Sequence, residues 1–291
     1  MRKVMRIVAE NISFTYNQKT AFKSEALKNI SLTIEEGSFF GIIGHTGSGK
    51  STFIQLLNAL LPVQSGKLTI GNYDLSSGKK TDKKLLKELR SKVGMVFQYP
   101  EYQLFAETVF DDVAFGYKNF HANASAEEIK SAVYSALEKV GIDAGLAQKS
   151  PFELSGGQKR RVAIAGVIVT APEILILDEP VAGLDPRGKR ELMQLLKSLR
   201  GSVCKTIIIV SHDMDEVAEN CSAIAVFSGG ECVLVGKPKD VFSNRQKLED
   251  LRLGVPLTAY LESKLRESGI EISCDFTTAG FLNAIKGLIR R

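Results

Sequence analysis

No stretch of this 291-residue chain approaches the ~20 consecutive apolar residues that cross a bilayer, although apolar residues make up 44% of it. The chain is therefore expected to be soluble by itself and to borrow any membrane location from a partner. No secretory leader is visible: MRKVMRIVAE carries charge without a sustained apolar core and reads as a first strand. Cys204, Cys221, Cys232 and Cys274 show no CxxC spacing and no histidine cluster, so reduced structural thiols in a cytosolic protein are expected. There is no heptad run, which removes a coiled-coil arm, and no internal duplication. A net charge of +5 is a mild, dispersed excess. It suits an anionic membrane surface and is too weak to argue for nucleic acid.

What is present is concentrated in a few motifs. Phe39 to Ile43 (FFGII) is a short apolar run of the kind that forms a buried strand, and GHTGSGKST (Gly44 to Thr52) follows it. Gly44, Gly47 and Gly49 let the backbone turn tightly, so that successive amides, including those of Thr46 and Ser48, converge on one anion. The helical stretch from Thr52 to Leu61 adds the partial positive charge of its N-terminus. In such a phosphate-binding loop Lys50 reaches the β- and γ-phosphates of ATP, and the Ser51 hydroxyl ligates Mg²⁺. A chance Gly-rich turn lacks the strand before and the helix after.

Downstream, ILILDEP (Ile174 to Pro180) reads as a buried parallel strand ending in two carboxylates. Ligands collect at that end of an open α/β sheet. Neighbours on a strand point opposite ways, so Asp178 and Glu179 are expected to divide the work. Asp178 suits the Mg²⁺ shell and Glu179 the attacking water. Seen alone, the pair would be a solvated acidic strand end.

Between these motifs lies LSGGQ (Leu154 to Gln158), followed by Lys159, Arg160 and Arg161. Gln98 follows the strand-like KVGMVF, His212 follows IIIV, and Asp185 sits in AGLDP. Singly these are a strand-end amide, a helix-capping turn and a turn-forming Asp-Pro. In this order and spacing they resemble the nucleotide-binding subunits of ABC (ATP-binding cassette) transporters. The resemblance implies a dimer in which Ser155, Gly156, Gly157 and Gln158 of one subunit cover ATP held by the other, with Asp185 crossing the interface. It also implies that Gln98 touches Mg²⁺ and the water while sensing a membrane partner, and that His212 contacts the γ-phosphate. Tyr16, in ISFTY, is the aromatic expected on adenine; Phe14 and Phe22 are alternatives, and a plain core role stays open.

The implied fold is α/β, a P-loop NTPase cassette at 1–237. Its sheet is mostly parallel with antiparallel strands at the N-terminus, and a helical subdomain over about 100–150 delivers LSGGQ. Residues up to about Ser91 read as strands and turns around the first helix, with a polar loop at Ser76 to Asp82. Ser125 to Val140 reads as a helix with a Ser125/Glu128 capping box and Gly141 as its stop. Residues 238–291 form a helical extension. Its last helix, from Thr277 to Arg291, carries Phe281, Ile285, Leu288 and Ile289 at helical spacing. That stripe is either a satellite of the core or a dimer contact, and the second is preferred.

YPEYQLFAETVFDDVAFG after Gln98, FELSGGQKRRVAIAG and VAGLDPRG together look like the ATPase subunits of energy-coupling-factor transporters. That resemblance covers essentially the whole chain and implies uptake of vitamins or transition-metal ions at the cytoplasmic face of the cell membrane. The ATPase works there as a peripheral subunit with a second ATPase subunit, identical or paralogous. A transmembrane coupling protein links them to a substrate-binding membrane protein. Val181, where the family usually has Thr, is a departure. Glu101, Tyr102, Leu104 and Phe105 offer apolar area and a carboxylate suited to grip an amphipathic coupling helix, Glu101 through an arginine on that helix; packing beneath the subdomain is the plainer reading. The alternatives are an ordinary ABC importer ATPase and a soluble ABC ATPase acting on nucleic acid. The gap from Ser51 to Leu154 is too short for the long arm of the latter.

Overall fold

The short apolar runs become strands buried on both faces, as parallel strands require. A computed structural model describes residues 4–79 and 82–289. Its strands are β1 (Ile7–Tyr16), β2 (Ser24–Ile34), β3 (Phe39–Ile43), β4 (Ser65–Ile70), β5 (Tyr73–Asp74), β6 (Val93–Val96), β7 (Ile174–Asp178), β8 (Thr206–Val210), β9 (Ala223–Ser228) and β10 (Glu231–Gly236). They form an antiparallel sheet in the order β2-β1-β4-β5 and a larger one in the order β10-β9-β3-β8-β7-β6. Within the larger sheet only the β10–β9 pairing is antiparallel.

Side-chain alternation along these strands splits the interior in two. Phe40, Ile42, Ile174, Ile176, Ile208 and Val210 face a core shared with the antiparallel sheet. Phe39, Ile43, Leu175, Leu177, Ile207 and Ile209 face a core made with helices. The first helix, α1 (Lys50–Leu57), starts directly after the loop leaving β3 and buries Phe53, Ile54, Leu56 and Leu57 between the sheets. The carboxyl ends of β3, β6, β7 and β8 thus lie side by side, and the phosphate loop, Gln98, Glu179 and His212 follow them.

One helix escaped the sequence reading. α2 (Lys83–Lys92) occupies residues expected to be strand and turn, and Asp82 caps it by accepting from the Leu85 amide at 2.7 Å. Its sequence KKLLKELRSK does place Leu85, Leu86 and Leu89 on one face at helical spacing, although only Leu89 is fully buried, so the pattern was there to be read. Lys80 and Thr81 of the predicted polar loop lie outside the described residues. The helical region comprises α3 (Val109–Phe120), α4 (Ala126–Lys139) and α5 (Gly156–Ile168). α4 has the expected capping box of Ser125 and Glu128. It is followed by α6 (Pro186–Ser202) and α7 (Met214–Asn220).

The C-terminal segment folds back onto the helical core. It contains α8 (Pro238–Phe242), α9 (Arg245–Asp250), α10 (Leu257–Glu267) and α11 (Thr278–Ile289). Phe242, Leu248, Cys274 and Phe276 are buried there. Asp215 and Glu219 of α7 accept from the Leu257 and Thr278 amides at 2.7 and 2.5 Å. The stripe on α11 divides: Phe281 packs against the core, Ile285 and Leu288 are half-buried, and Ile289 is 80% exposed. Arg290 and Arg291, expected in that helix, lie outside the described residues.

Candidate functional site

A cavity of about 500 Å³ opens at the carboxyl ends of β3, β7 and β8. The loop between β3 and α1 supplies its floor through Thr46, Gly47, Ser48, Gly49, Lys50, Ser51 and Thr52. Two glycines make this path possible. Gly49 precedes the helix at φ 101°, and a Cβ there would lie 2.5 Å from the Ala26 carbonyl oxygen. Gly44 lies beneath the loop, where a Cβ would come within 2.3 Å of the Phe227 oxygen. With glycine before it, α1 has no side-chain cap, and its first amides remain available to an anion. Lys50 Nζ donates to the carbonyls of Gly44 (2.7 Å) and His45 (2.9 Å). Burial lowers the Lys50 pKa, against the pull of Glu179 and Asp178. The buried Ser48 hydroxyl has no partner among the described residues.

The two carboxylates both reach the cavity but engage different groups. Asp178 ends β7 and shares the cavity lining with Ser51. Burial and then Glu179 raise its pKa, outweighing Ser51 and Lys50. Asp178, Ser51 and the exposed Gln98 present oxygen donors to one space, which fits a hard divalent cation such as Mg²⁺. Glu179 lies beyond the strand at φ 49°, a left-handed conformation that non-glycine residues rarely hold. Its separation from Asp178 comes from that turn as well as from strand alternation. Glu179 Oε2 is 2.7 Å from His212 Nδ1, and its amide donates to the Val210 carbonyl at 2.9 Å. Behind His212, the Ser211 hydroxyl donates to buried Glu216 at 2.9 Å. Burial pushes the Glu216 carboxyl up to about 7, against that hydrogen bond.

Tyr16 lines the cavity; its ring is 4.9 Å from Phe14 in an edge arrangement and its hydroxyl is 3.2 Å from Thr52 Oγ1. Phe14 itself is buried, and Phe22 is exposed away from the lining. Ser24, Glu25, Ala26 and Val210 also line the cavity and were not anticipated. The first three arrive through the pairing of β2 with β1, which leaves no motif.

Ser155, Gly156, Gly157, Gln158 and Asp185 are not brought to this cavity within the chain. Ser155 and Gln158 form a reciprocal capping box on α5. Gly156 and Gly157 face open space. Asp185 caps α6 by accepting from the Gly188 amide at 2.7 Å. Val181 is buried in the helical core, where a threonine would have to bury its hydroxyl.

The expected coupling cluster is corrected in two places. Glu101 does not offer its carboxylate outward: Arg160 of the same chain holds both oxygens, at 2.7 and 3.0 Å. Burial alone would raise the Glu101 pKa, and the arginine outweighs it, holding the carboxyl below its usual value. Leu104 belongs to the core. Tyr102 and Phe105 are exposed, at 83% and 62%.

Comparison with known proteins follows the same lines. The family model for ABC transporters matches residues 27–182, and a model for an AAA domain matches the shorter stretch 147–218. The energy-coupling factor transporter ATP-binding protein EcfA2 of Caldanaerobacter subterraneus is 50% identical over 94% of each chain. Its namesake from Clostridioides difficile is 49% identical over 94% of each. Among solved structures, cbiO1 of Clostridium perfringens, part of the ABC transporter complex cbiONQ, superposes with TM-score 0.74 and 37% identity. That match covers 90% of this chain and all of the other. A bacterial ABC transporter cassette solved as a dimer gives TM-score 0.69 and 32% identity, over 80% of this chain and 98% of that one.

Proposed function

This chain belongs to the ABC transporter family, among the ATP-binding proteins of energy-coupling factor transporters, and from that membership we propose how its residues turn ATP hydrolysis into uptake. The observation that carries the proposal is the convergence of Lys50, Gln98, Asp178, Glu179 and His212 on one cavity. Lys50 and the loop amides bind the β- and γ-phosphates, and Tyr16 stacks on adenine. Ser51, Gln98 and Asp178 would hold Mg²⁺, which would supply positive charge to offset that of the phosphates. Glu179 orients the attacking water and takes its proton, while His212 stands between that carboxylate and the γ-phosphate.

The site is shared. Ser155, Gly156, Gly157 and Gln158 of one subunit close over ATP on a second ATPase subunit, and Asp185 lies at their junction. The open surroundings of Gly156 and Gly157, and a related cassette solved as a dimer, support this. The cassette spans 1–237, and the extension at 238–291 presents the exposed part of α11 to the second subunit. Among the described residues no helix is long and apolar enough to cross a membrane. By its kinship with energy-coupling factor ATP-binding proteins, the chain works as a peripheral subunit at the cytoplasmic face, driving a transmembrane coupling protein that serves vitamin or transition-metal uptake. Exposed Tyr102 and Phe105 supply the contact to that protein.

Glu179→Gln tests the catalytic reading, since the amide keeps the carboxylate shape and cannot take a proton. It is expected to bind Mg-ATP normally, to lose about 10²–10⁴-fold in turnover, and to accumulate as an ATP-bound dimer. Phosphate release and size-exclusion chromatography provide the measurements. A loss of about tenfold or less removes Glu179 from the role of base.

A further inference from the structure

Arg160 lies on α5, within two residues of the signature glutamine Gln158, and is only 4% exposed. Its guanidinium is engaged on every side. Nε and Nη2 donate to the two oxygens of Glu101 at 3.0 and 2.7 Å. Nη1 donates to the carbonyls of Pro180 and Ala182, both at 3.0 Å, and Nη2 donates to Ala182 as well, also at 3.0 Å. One planar group therefore ties together three segments that are distant in the chain. Only arginine has this fork: a bidentate face for a carboxylate, with donors left over in the same plane. An isolated ammonium would satisfy one of these partners at a time.

The segments joined are the ones that flank the chemistry. Glu101 comes three residues after Gln98. Pro180 directly follows Glu179, whose left-handed backbone persists only where its surroundings impose it. The Ala182 amide donates back to the Glu179 carbonyl at 3.1 Å, so the two carbonyls held by Arg160 belong to the turn that aims the Glu179 side chain. The same two segments run close together, near enough that a Cβ added at Gly183 would meet the Tyr99 ring at 3.5 Å. Tyr102, next to Glu101, is 83% exposed.

We propose that Arg160 is a positioning residue for ATP hydrolysis. It locks the segment following Gln98 to the turn following Glu179, so the water-activating carboxylate keeps its aim only while the Glu101 segment keeps its place. A partner pressing on Tyr102 would then alter hydrolysis through this junction, with no contact to nucleotide. The proposal rests on the reading of Glu179 as the base.

Arg160→Lys keeps the charge and removes the fork. In the full chain, Mg-ATP affinity, followed with trinitrophenyl-ATP, and KM are expected to stay within about twofold of wild type. The kcat should fall about 10- to 100-fold, the scale of a small misplacement at a reacting centre. Glu101→Gln should fall in the same direction, and the double variant no further than the worse single, because both break one junction. A kcat within about threefold of wild type overturns the proposal. So does a loss that tracks affinity and melting temperature together, or one that adds up in the double variant, for either marks a merely structural role. Should Arg160→Lys fail to fold, Glu101→Gln decides on the same readouts. Glu179→Gln run in parallel separates the two ideas: if it keeps turnover, the base assignment falls; if it is inactive while Arg160→Lys is active, only the junction does.

Discussion

Glu216 should make the stability of this protein fall with rising pH, and Glu216→Gln should abolish that component. The side chain is 8% exposed, accepts from Ser211 at 2.9 Å, and has no partner for Oε1 among the described residues. Burial raises its pKa from 4.5 to about 7; Asp213 and Glu179 push the same way, and Ser211 and Lys189 oppose. A carboxyl raised on folding binds its proton more tightly in the native state than in the unfolded one. Its contribution is thus full below about 4.5, is lost as pH rises to about 7, and changes no further above that. At 1.36 kcal/mol per pH unit, the interval corresponds to about 3 kcal/mol. Cys221, the buried neighbour pushed up by burial and then by Glu216, titrates well above this window. Glutamine keeps an oxygen for Ser211 and carries no charge at any pH. Between pH 5 and 8 the melting temperature of the variant should therefore drop less than that of wild type, by about 4–8 °C. Calorimetry across that range reads the difference directly. Parallel curves for the two proteins would refute the reasoning, because they would mean that Glu216 is ionised throughout or finds a partner that compensates it.

Two further outcomes follow from the site and its surface. Lys50→Ala removes a charge-assisted contact to phosphate and should weaken Mg-ATP binding by about 10- to 100-fold in calorimetric titration; unchanged affinity would remove the loop from that role. Joint replacement of Tyr102 and Phe105 by alanine touches side chains that are 83% and 62% exposed, so fold and basal ATPase should survive while co-purification with the membrane partner is lost. Retained co-purification would move the docking surface elsewhere.

The legible parts of this molecule are those whose physics is local. FFGII becomes β3 (Phe39–Ile43) and ILILD becomes β7 (Ile174–Asp178) because a strand covered on both faces must be apolar at successive positions. The phosphate loop is legible because its binding groups are amides of consecutive residues. The Ser125 cap is legible because its partner lies three residues away. α2 was legible by the same standard, since Leu85, Leu86 and Leu89 lie on one helical face behind the Asp82 cap, and its many lysines masked that short pattern. Ser24, Glu25 and Ala26 reach the cavity by strand pairing, which a single sequence does not record.

Glu101 shows where local reading must fail. A carboxylate beside exposed aromatics has the composition of an interaction surface, and nothing nearby in the chain claims it. Its partner, Arg160, is 59 residues away and is delivered by the packing of α5 against the segment after β6. Taking a charge out of water is costly unless it is paired. Glu101 and Arg160, with side chains 16% and 5% exposed, can therefore persist there only as a pair. The carbonyls of Pro180 and Ala182 use the remaining donors of that arginine, so the requirement to satisfy one buried cation draws the Gln98 and Glu179 segments to the same point.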